Sequence, residues 1–259
     1  FGGLGVALLA ALYLPMTLLA PFPPASAYAV ATTVPDNPGI ELDWPEFGSS
    51  AIGAVGFPGV LASTDPTTPR TIASITKVVT SLVVLDENPL AEGSDGPTIT
   101  MSAADVALYH SFNARNGEVK PVRVGLALTQ RQLLEVVLVA SANNYAQTMA
   151  TWAFGSEDAF LTAAASWLAD HGLTGTTLKD STGMNPENTS TTADLIALGK
   201  LALAGPTISS IVSQTSIALP YIGTIENTNE LLGIGGVKGI KTGTLPEAGS
   251  CLLFASSVA

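Results

Sequence analysis

The pairs Ser74/Lys77, Ser141/Asn143 and Lys241/Gly243 sit in three short patches, Ser74-Ile75-Thr76-Lys77, Ser141-Ala142-Asn143 and Lys241-Thr242-Gly243. A hydroxyl and an amine three residues apart share one face of a helix. A serine near a helix N-terminus also meets free backbone N–H groups and the positive end of the dipole, which stabilise an alkoxide and the oxyanion formed next. An amine acts as a base only when neutral, so Lys77 needs a lowered pKa. Burial and a nearby cation both lower it, and Lys241 is the candidate cation. Ser141 can pass a proton between Lys77 and a leaving amine. Asn143 can hold the Lys77 amine with its oxygen and offer its amide to a substrate carbonyl. Lys241 and the hydroxyls of Thr242 and Thr244 can bind a terminal carboxylate, while Gly243 lets a peptide backbone come close. Together these residues supply acyl-transfer chemistry without a histidine.

Taken singly, each patch has a plainer reading. Ser-x-x-Lys occurs on solvated helices, but here Val78 and Val79 come next and Lys77 is the only charge between Arg70 and Asp86. Ser141-Ala142-Asn143 alone reads as a cap or turn. Lys241 to Thr244 reads as an exposed strand, although a glycine inside a strand fits close backbone approach better. Asn144 reads as structural.

Composition narrows the function. The chain has 259 residues, is 47% hydrophobic, and carries a formal charge of -11 with ten Lys plus Arg. It can bury a sizeable core, and it has no basic stripe of the kind that binds nucleic acid. Cys251 is the only cysteine, so there is no intrachain disulfide. It lies in a strand-like stretch and reads as a small buried hydrophobe. His110 and His171 are far apart and read as helix-end residues, His171 with the C-cap signal Gly172. No metal site is expected.

The elements that must position these groups are set by pattern. Gly2 to Leu19 is an uncharged apolar run, just long enough for a membrane span. Ala25-Ser26-Ala27 suits signal cleavage, so residues 1–29 read as a signal peptide or a membrane anchor, and either exports the rest of the chain. Residues 30–45 read as a linker and 46–259 as the functional domain. Ala51–Val55 and Gly59–Ala62 read as a hairpin about Gly56-Phe57-Pro58. A helix is expected from Ser74 to about Asp86, stopped by Asn88-Pro89. Capping boxes begin at Ser102 and Thr129. Helices are expected over 144–153, 158–171, 192–204 and 207–214, and strands over 236–244 and 250–258. The expected fold class is α+β: one antiparallel sheet built from both chain ends and flanked by helices, with an all-helical subdomain over about 87–215 inserted. The last strand ends at the last residue, so a further strand and a covering helix are expected beyond it.

With these motifs in this order, the chain resembles the penicillin-binding-protein and serine beta-lactamase superfamily. Within it the chain resembles the D-alanyl-D-alanine carboxypeptidases, the S11 serine peptidases. Ile52 to Gly56, Ser141 to Asn144, Asp180-Ser181-Thr182-Gly183-Met184 and Gly239 to Thr244 carry the likeness, which runs from about residue 45 to the end. The resemblance implies a beta-lactamase/transpeptidase-like fold, Ser74 as the acylated nucleophile and Lys77 as its base. It implies Ser141 and Asn143 as the second motif, Lys241 as the lysine of the third, and an oxyanion hole from the N–H groups of Ser74 and Thr244. It further implies no cofactor, a peptidoglycan stem peptide ending in D-Ala-D-Ala as substrate, beta-lactams as covalent inhibitors, and a site of action outside the cytoplasm, anchored or secreted to the cell wall. Ala142, and the lack of a Glu over 176–181, separate the chain from class A beta-lactamases. The competing functions are a D,D-transpeptidase or endopeptidase on the same site, and a non-catalytic wall-binding module.

Overall fold

A computed structural model describes residues 2–18 and 41–257. The first segment is one helix, α1 (Gly2–Leu18), with Pro15 inside it. Its 17 residues rise about 26 Å, short of the roughly 30 Å hydrocarbon core of a bilayer. Among the described residues, no single helix is long and apolar enough to cross a membrane. The Ala25-Ser26-Ala27 pattern and most of the expected linker lie outside the described residues.

From Trp44 onward the chain forms one compact unit. In chain order it contains β1 (Ala51–Ile52), β2 (Ala62–Ser63), β3 (Arg70–Thr71), a 3-10 turn (Ala73–Ile75) and α2 (Thr76–Glu87). Next come β4 (Thr98–Thr100), α3 (Ala103–Ala114), β5 (Ala127–Thr129), α4 (Gln130–Leu138), α5 (Asn143–Phe154) and α6 (Glu157–Asp170). Beyond these lie β6 (Thr189–Ser190), α7 (Thr192–Ala204), α8 (Pro206–Val212), β7 (Ser216–Leu219), β8 (Gly223–Glu226), β9 (Val237–Leu245) and β10 (Gly249–Ser256). The architecture is α+β, and all the strand pairs are antiparallel.

Helix α2 is the centre of the core. Val78, Val79 and Val84 on it are fully buried, and α4, α5, α6 and α7 pack around it. Its apolar residues cover most of its circumference, as a helix enclosed by others requires. Both capping boxes form: Ser102 with Asp105 on α3, and Thr129 with Gln132 on α4. Gly172, at a φ of +71°, closes α6, and His171 stacks on Trp167 at 4.0 Å.

Four expectations from sequence change. The 87–215 region is not all-helical: β4, β5 and β6 lie within it, β4 laddered with β5, and β6 with β3, which ties the insert to the segment just before Ser74. Among the described residues the N- and C-terminal hairpins do not share a ladder: β1 pairs only with β2, and β9 only with β10. Both pack on α7 instead. A Cβ on Gly53 would run into Ile196, and one on Gly199 would lie 3.3 Å from Leu253, so missing side chains seat both hairpins on that helix. The N-terminal hairpin is also shorter than its apolar run, with Ala51 opposite Ser63 and Ile52 opposite Ala62. Finally, His110 lies inside α3 rather than at its end, because the helix continues to bury Phe112.

The Thr129 hydroxyl accepts the Gln132 N–H at 3.2 Å, and the Gln132 side chain accepts the Thr129 N–H at 2.9 Å. Replacing Thr129 with Ala removes the first bond and should destabilise the unit by about 1 kcal/mol. Thermal unfolding of the pure variant will register this as a lowered Tm, and an unchanged Tm would show that the cap contributes nothing.

Candidate active site

The nucleophile candidate sits in the 3-10 turn before α2, two residues ahead of the first α-helical residue. Lys77 is the second residue of α2, so the pair spans the junction of turn and helix at the i, i+3 spacing that keeps both on one face. Lys77 Nζ and Ser74 Oγ are 2.9 Å apart. Ala73, just before the serine, holds a left-handed φ of +45°, which costs a non-glycine residue of order 1–2 kcal/mol.

Two glycines let the chain close on this turn. A Cβ on Gly183 would collide with the Ala73 carbonyl, and one on Gly243 would stand 2.9 Å from the Ile72 carbonyl and 3.1 Å from Ser74 N. Gly243 therefore brings β9 against the serine's own backbone, and it also lines the cleft. The Ser74 N–H has no backbone acceptor among the described residues.

Lys77 is fully buried. Besides Ser74, its amine reaches Asn143 Oδ1 and the Thr182 carbonyl, each at 2.6 Å. Asn143 comes from the first residue of α5, and its N–H is tied to the Glu118 carbonyl at 2.7 Å. The carboxamide oxygen and the carbonyl can only accept hydrogen bonds. A neutral amine has two N–H groups and one lone pair. With both N–H groups donated to these acceptors, the lone pair is left for the Ser74 hydroxyl. Burial pushes the Lys77 pKa well below 10.5, and the charge of Lys241 lowers it further, against opposing pulls from Asp180 and Glu118. The arrangement can thus take a proton from Ser74.

Lys241 is 1% exposed and bonds to Thr228 Oγ1 at 3.2 Å. Thr228 in turn meets Thr242 Oγ1 at 2.6 Å. Burial lowers Lys241 to about 7, and Glu118 partly opposes this.

Ser141 is placed differently from what its motif suggests. Its φ is +58°, and it lines the same cleft as Ser74, but the three hydrogen bonds of Lys77 go to Ser74, Asn143 and Thr182 and none to Ser141. The amine is already fully partnered. The cleft encloses about 1240 Å³ and is lined by Ser74, Ser141, Asn143, Thr242, Gly243 and Thr244. Lys77 and Lys241 stand behind this wall. Asn144 has a structural role, clamping the Lys120 backbone in both directions. Among the described residues, no group of three or more His, Cys, Asp or Glu could hold a metal ion. Sequence reasoning missed Thr182 and Thr228. Thr182 acts through its carbonyl, which residue type does not reveal, although the Asp180 to Met184 run marked the segment. Thr228 carries no local signal.

Comparison with known proteins gives one consistent picture. The family model described as D-alanyl-D-alanine carboxypeptidase, Peptidase_S11, matches residues 58–258. A D-alanyl-D-alanine endopeptidase of Pseudomonas aeruginosa is 30% identical over 90% of this chain and 74% of its own length. The carboxypeptidase DacB2 of Mycobacterium tuberculosis is 32% identical over 71% of this chain and 61% of its own. Among solved structures, the Streptomyces K15 DD-transpeptidase superposes with a TM-score of 0.68 at 26% identity, covering 77% of this chain and 80% of that one.

Removing the Lys241 charge with Lys241→Met should raise the pKa of Lys77, but only in part, because burial is the larger cause. Side-chain NMR titration of the lysines will follow it; an unmoved Lys77 would show that the two amines do not interact. Stability gives a second reading. A lysine lowered in the folded state binds fewer protons there than in the unfolded chain between its folded and ordinary pKa. Stability therefore rises with pH between about 7 and 10.5. Lys241→Met should flatten that rise.

Proposed function

This chain belongs to the S11 family of D-alanyl-D-alanine carboxypeptidases, and on that footing we propose that it removes the terminal D-Ala from peptidoglycan stem peptides through an acyl-enzyme on Ser74. The observation that carries the proposal is the partner set of Lys77: two acceptor oxygens and one hydroxyl around a buried amine. In the reaction, neutral Lys77 takes the Ser74 proton as Oγ attacks the carbonyl of the terminal peptide bond. The N–H groups of Ser74 and Thr244 hold the oxyanion. Lys77 returns the proton to the leaving amine, with Ser141, which lines the same cleft as Ser74, as the relay. D-Ala departs, and water activated by Lys77 hydrolyses the ester. Thr242 and Thr244 at the cleft wall bind the terminal carboxylate, with the positive charge of Lys241 behind them. A beta-lactam, having a strained amide in place of the peptide bond, acylates the same oxygen.

An endopeptidase reading is favoured by one observation, the 30% identity to the Pseudomonas aeruginosa D-alanyl-D-alanine endopeptidase across most of both chains. The chemistry is the same, and only the leaving group grows. The K15 likeness keeps transpeptidation in the same comparison. The polymer substrate places the domain's work outside the cytoplasmic membrane, and the apolar N-terminal run is consistent with export, whether as an anchor or as a cleaved signal.

One assay separates these activities. The protein is incubated with a pentapeptide ending in D-Ala-D-Ala, with a cross-linked dimer, and with the pentapeptide plus an acceptor amine. Free D-Ala from the first substrate is the expected main product. Cleavage of the dimer alone would make the chain an endopeptidase, and an amide product would make it a transpeptidase. Ser74→Ala should abolish every one of these reactions together with the covalent penicillin adduct seen in the intact mass. An adduct surviving in that variant would remove Ser74 from the role. Fractionation of producing cells should recover the domain outside the cytoplasm; a cytosolic pool with the apolar run intact would contradict export.

A further inference from the structure

The base candidate is held by a loop whose Gly183 and Met184 line the cleft while Asp180 lies behind them. Residues 180–185 connect to α2 at two levels. Thr80, one turn beyond the serine–lysine pair, donates its hydroxyl to the Ser181 carbonyl at 2.8 Å, and Asn188 Nδ2 donates to Thr76 Oγ1 at 3.1 Å. From the other side, Glu157 on α6 accepts the Ser181 N–H at 2.7 Å and its hydroxyl at 3.0 Å. Inside the loop, Asp180 Oδ1 accepts the N–H groups of Thr182 and Gly183 at 2.8 and 2.6 Å, and Oδ2 accepts the Asn185 N–H at 2.6 Å. These three amides surround the peptide units that present the Thr182 carbonyl to Lys77. The same turn places Gly183 against Ala73 and Ser74.

We infer that Asp180 is a positioning residue for the acyl-transfer reaction: its carboxylate organises the turn that fixes the Thr182 carbonyl on the Lys77 amine, and so aims the amine at Ser74. This rests on the function proposed above. Asp180 does not line the cleft, and both its oxygens are occupied by amides. It is therefore no candidate for activating the deacylating water. Its influence is both geometric and electrostatic. Three charged groups act on Lys77 from the elements around it: Lys241 from β9 lowers its pKa, while Asp180 from this loop and Glu118 from the segment after α3 raise it.

The test is the rate of acylation by a beta-lactam, monitored by intact mass across pH, with wild type and Asp180→Asn compared. The variant should acylate roughly 10- to 100-fold more slowly, as misaligned reacting groups do. The pH at which acylation switches on should move down, because a cation-stabilising charge has been removed from Lys77. Half-saturating ligand concentration should stay near that of wild type. Glu157→Gln, which keeps an acceptor for Ser181 and does not act on the Lys77 charge, should leave the switching pH in place. If Asp180→Asn does not fold, Asp180→Glu is read instead: it retains the charge but misplaces the carboxylate, so the rate should fall while the switching pH holds. A wild-type rate and switching pH in Asp180→Asn, or a wild-type rate in Asp180→Glu, would overturn the inference alone. A wild-type protein that forms no adduct would overturn the acyl-transfer reading, and this inference with it.

Discussion

Everything around the site depends on keeping one amine dry and neutral. A buried lysine that stays charged is costly, and the protein resolves this by lowering its pKa rather than by pairing it with an acid. Among the described residues Lys77 has no carboxylate as a hydrogen-bond partner, only a hydroxyl, a carboxamide oxygen and a peptide carbonyl. A directly bonded acid would favour the ammonium and remove the base. Asp180 and Glu118 act on Lys77 without bonding to it, and the charge on Lys241 opposes them.

Three separate parts of the chain must deliver those partners, and the fold is the means of delivery. Helix α2 supplies Lys77 itself, and the turn before it supplies Ser74. The start of α5 brings Asn143, held by the Glu118 carbonyl. The 180–185 loop brings the Thr182 carbonyl, fixed by Asp180, Asn188 and Glu157. Strand β9 adds Lys241 from behind and closes on the serine through Gly243. Because α2 is enclosed by α4, α5, α6 and α7, a shift in any of these elements is transmitted to the amine. Protein interiors are packed too tightly to absorb such shifts locally.

The left-handed backbone at Ala73 and at Ser141 fits the same picture. Such conformations persist where the surroundings over-determine them. At Ala73 those surroundings are Gly183 on one side and Gly243 on the other, two residues that are small because a larger one would displace the nucleophile. The cleft surface then carries Ser74, Ser141 and Thr244, while the two lysines work from beneath it.

Much of this was legible in the amino-acid sequence. Ser74, Lys77, Asn143 and Lys241 were marked by side-chain chemistry and by the i, i+3 spacing of the first pair. The capping boxes at Ser102 and Thr129, and the helices after them, were readable from cap residues and apolar period, which are local properties. The lowered pKa of Lys77 was also expected, since an unbroken apolar helix forecasts burial. The tertiary structure alone decided the rest. Thr182 acts through a backbone carbonyl, and every residue has one, so its identity carried no signal. Thr228 meets Lys241 only because β9 runs beside the segment after β8. The close approach of β9 to Ser74 at Gly243 could not be read from local pattern, and the two terminal hairpins settled on α7 rather than on each other. These are contacts between segments distant in the chain, and sequence pattern specifies what a residue can do locally without specifying what packing will set beside it.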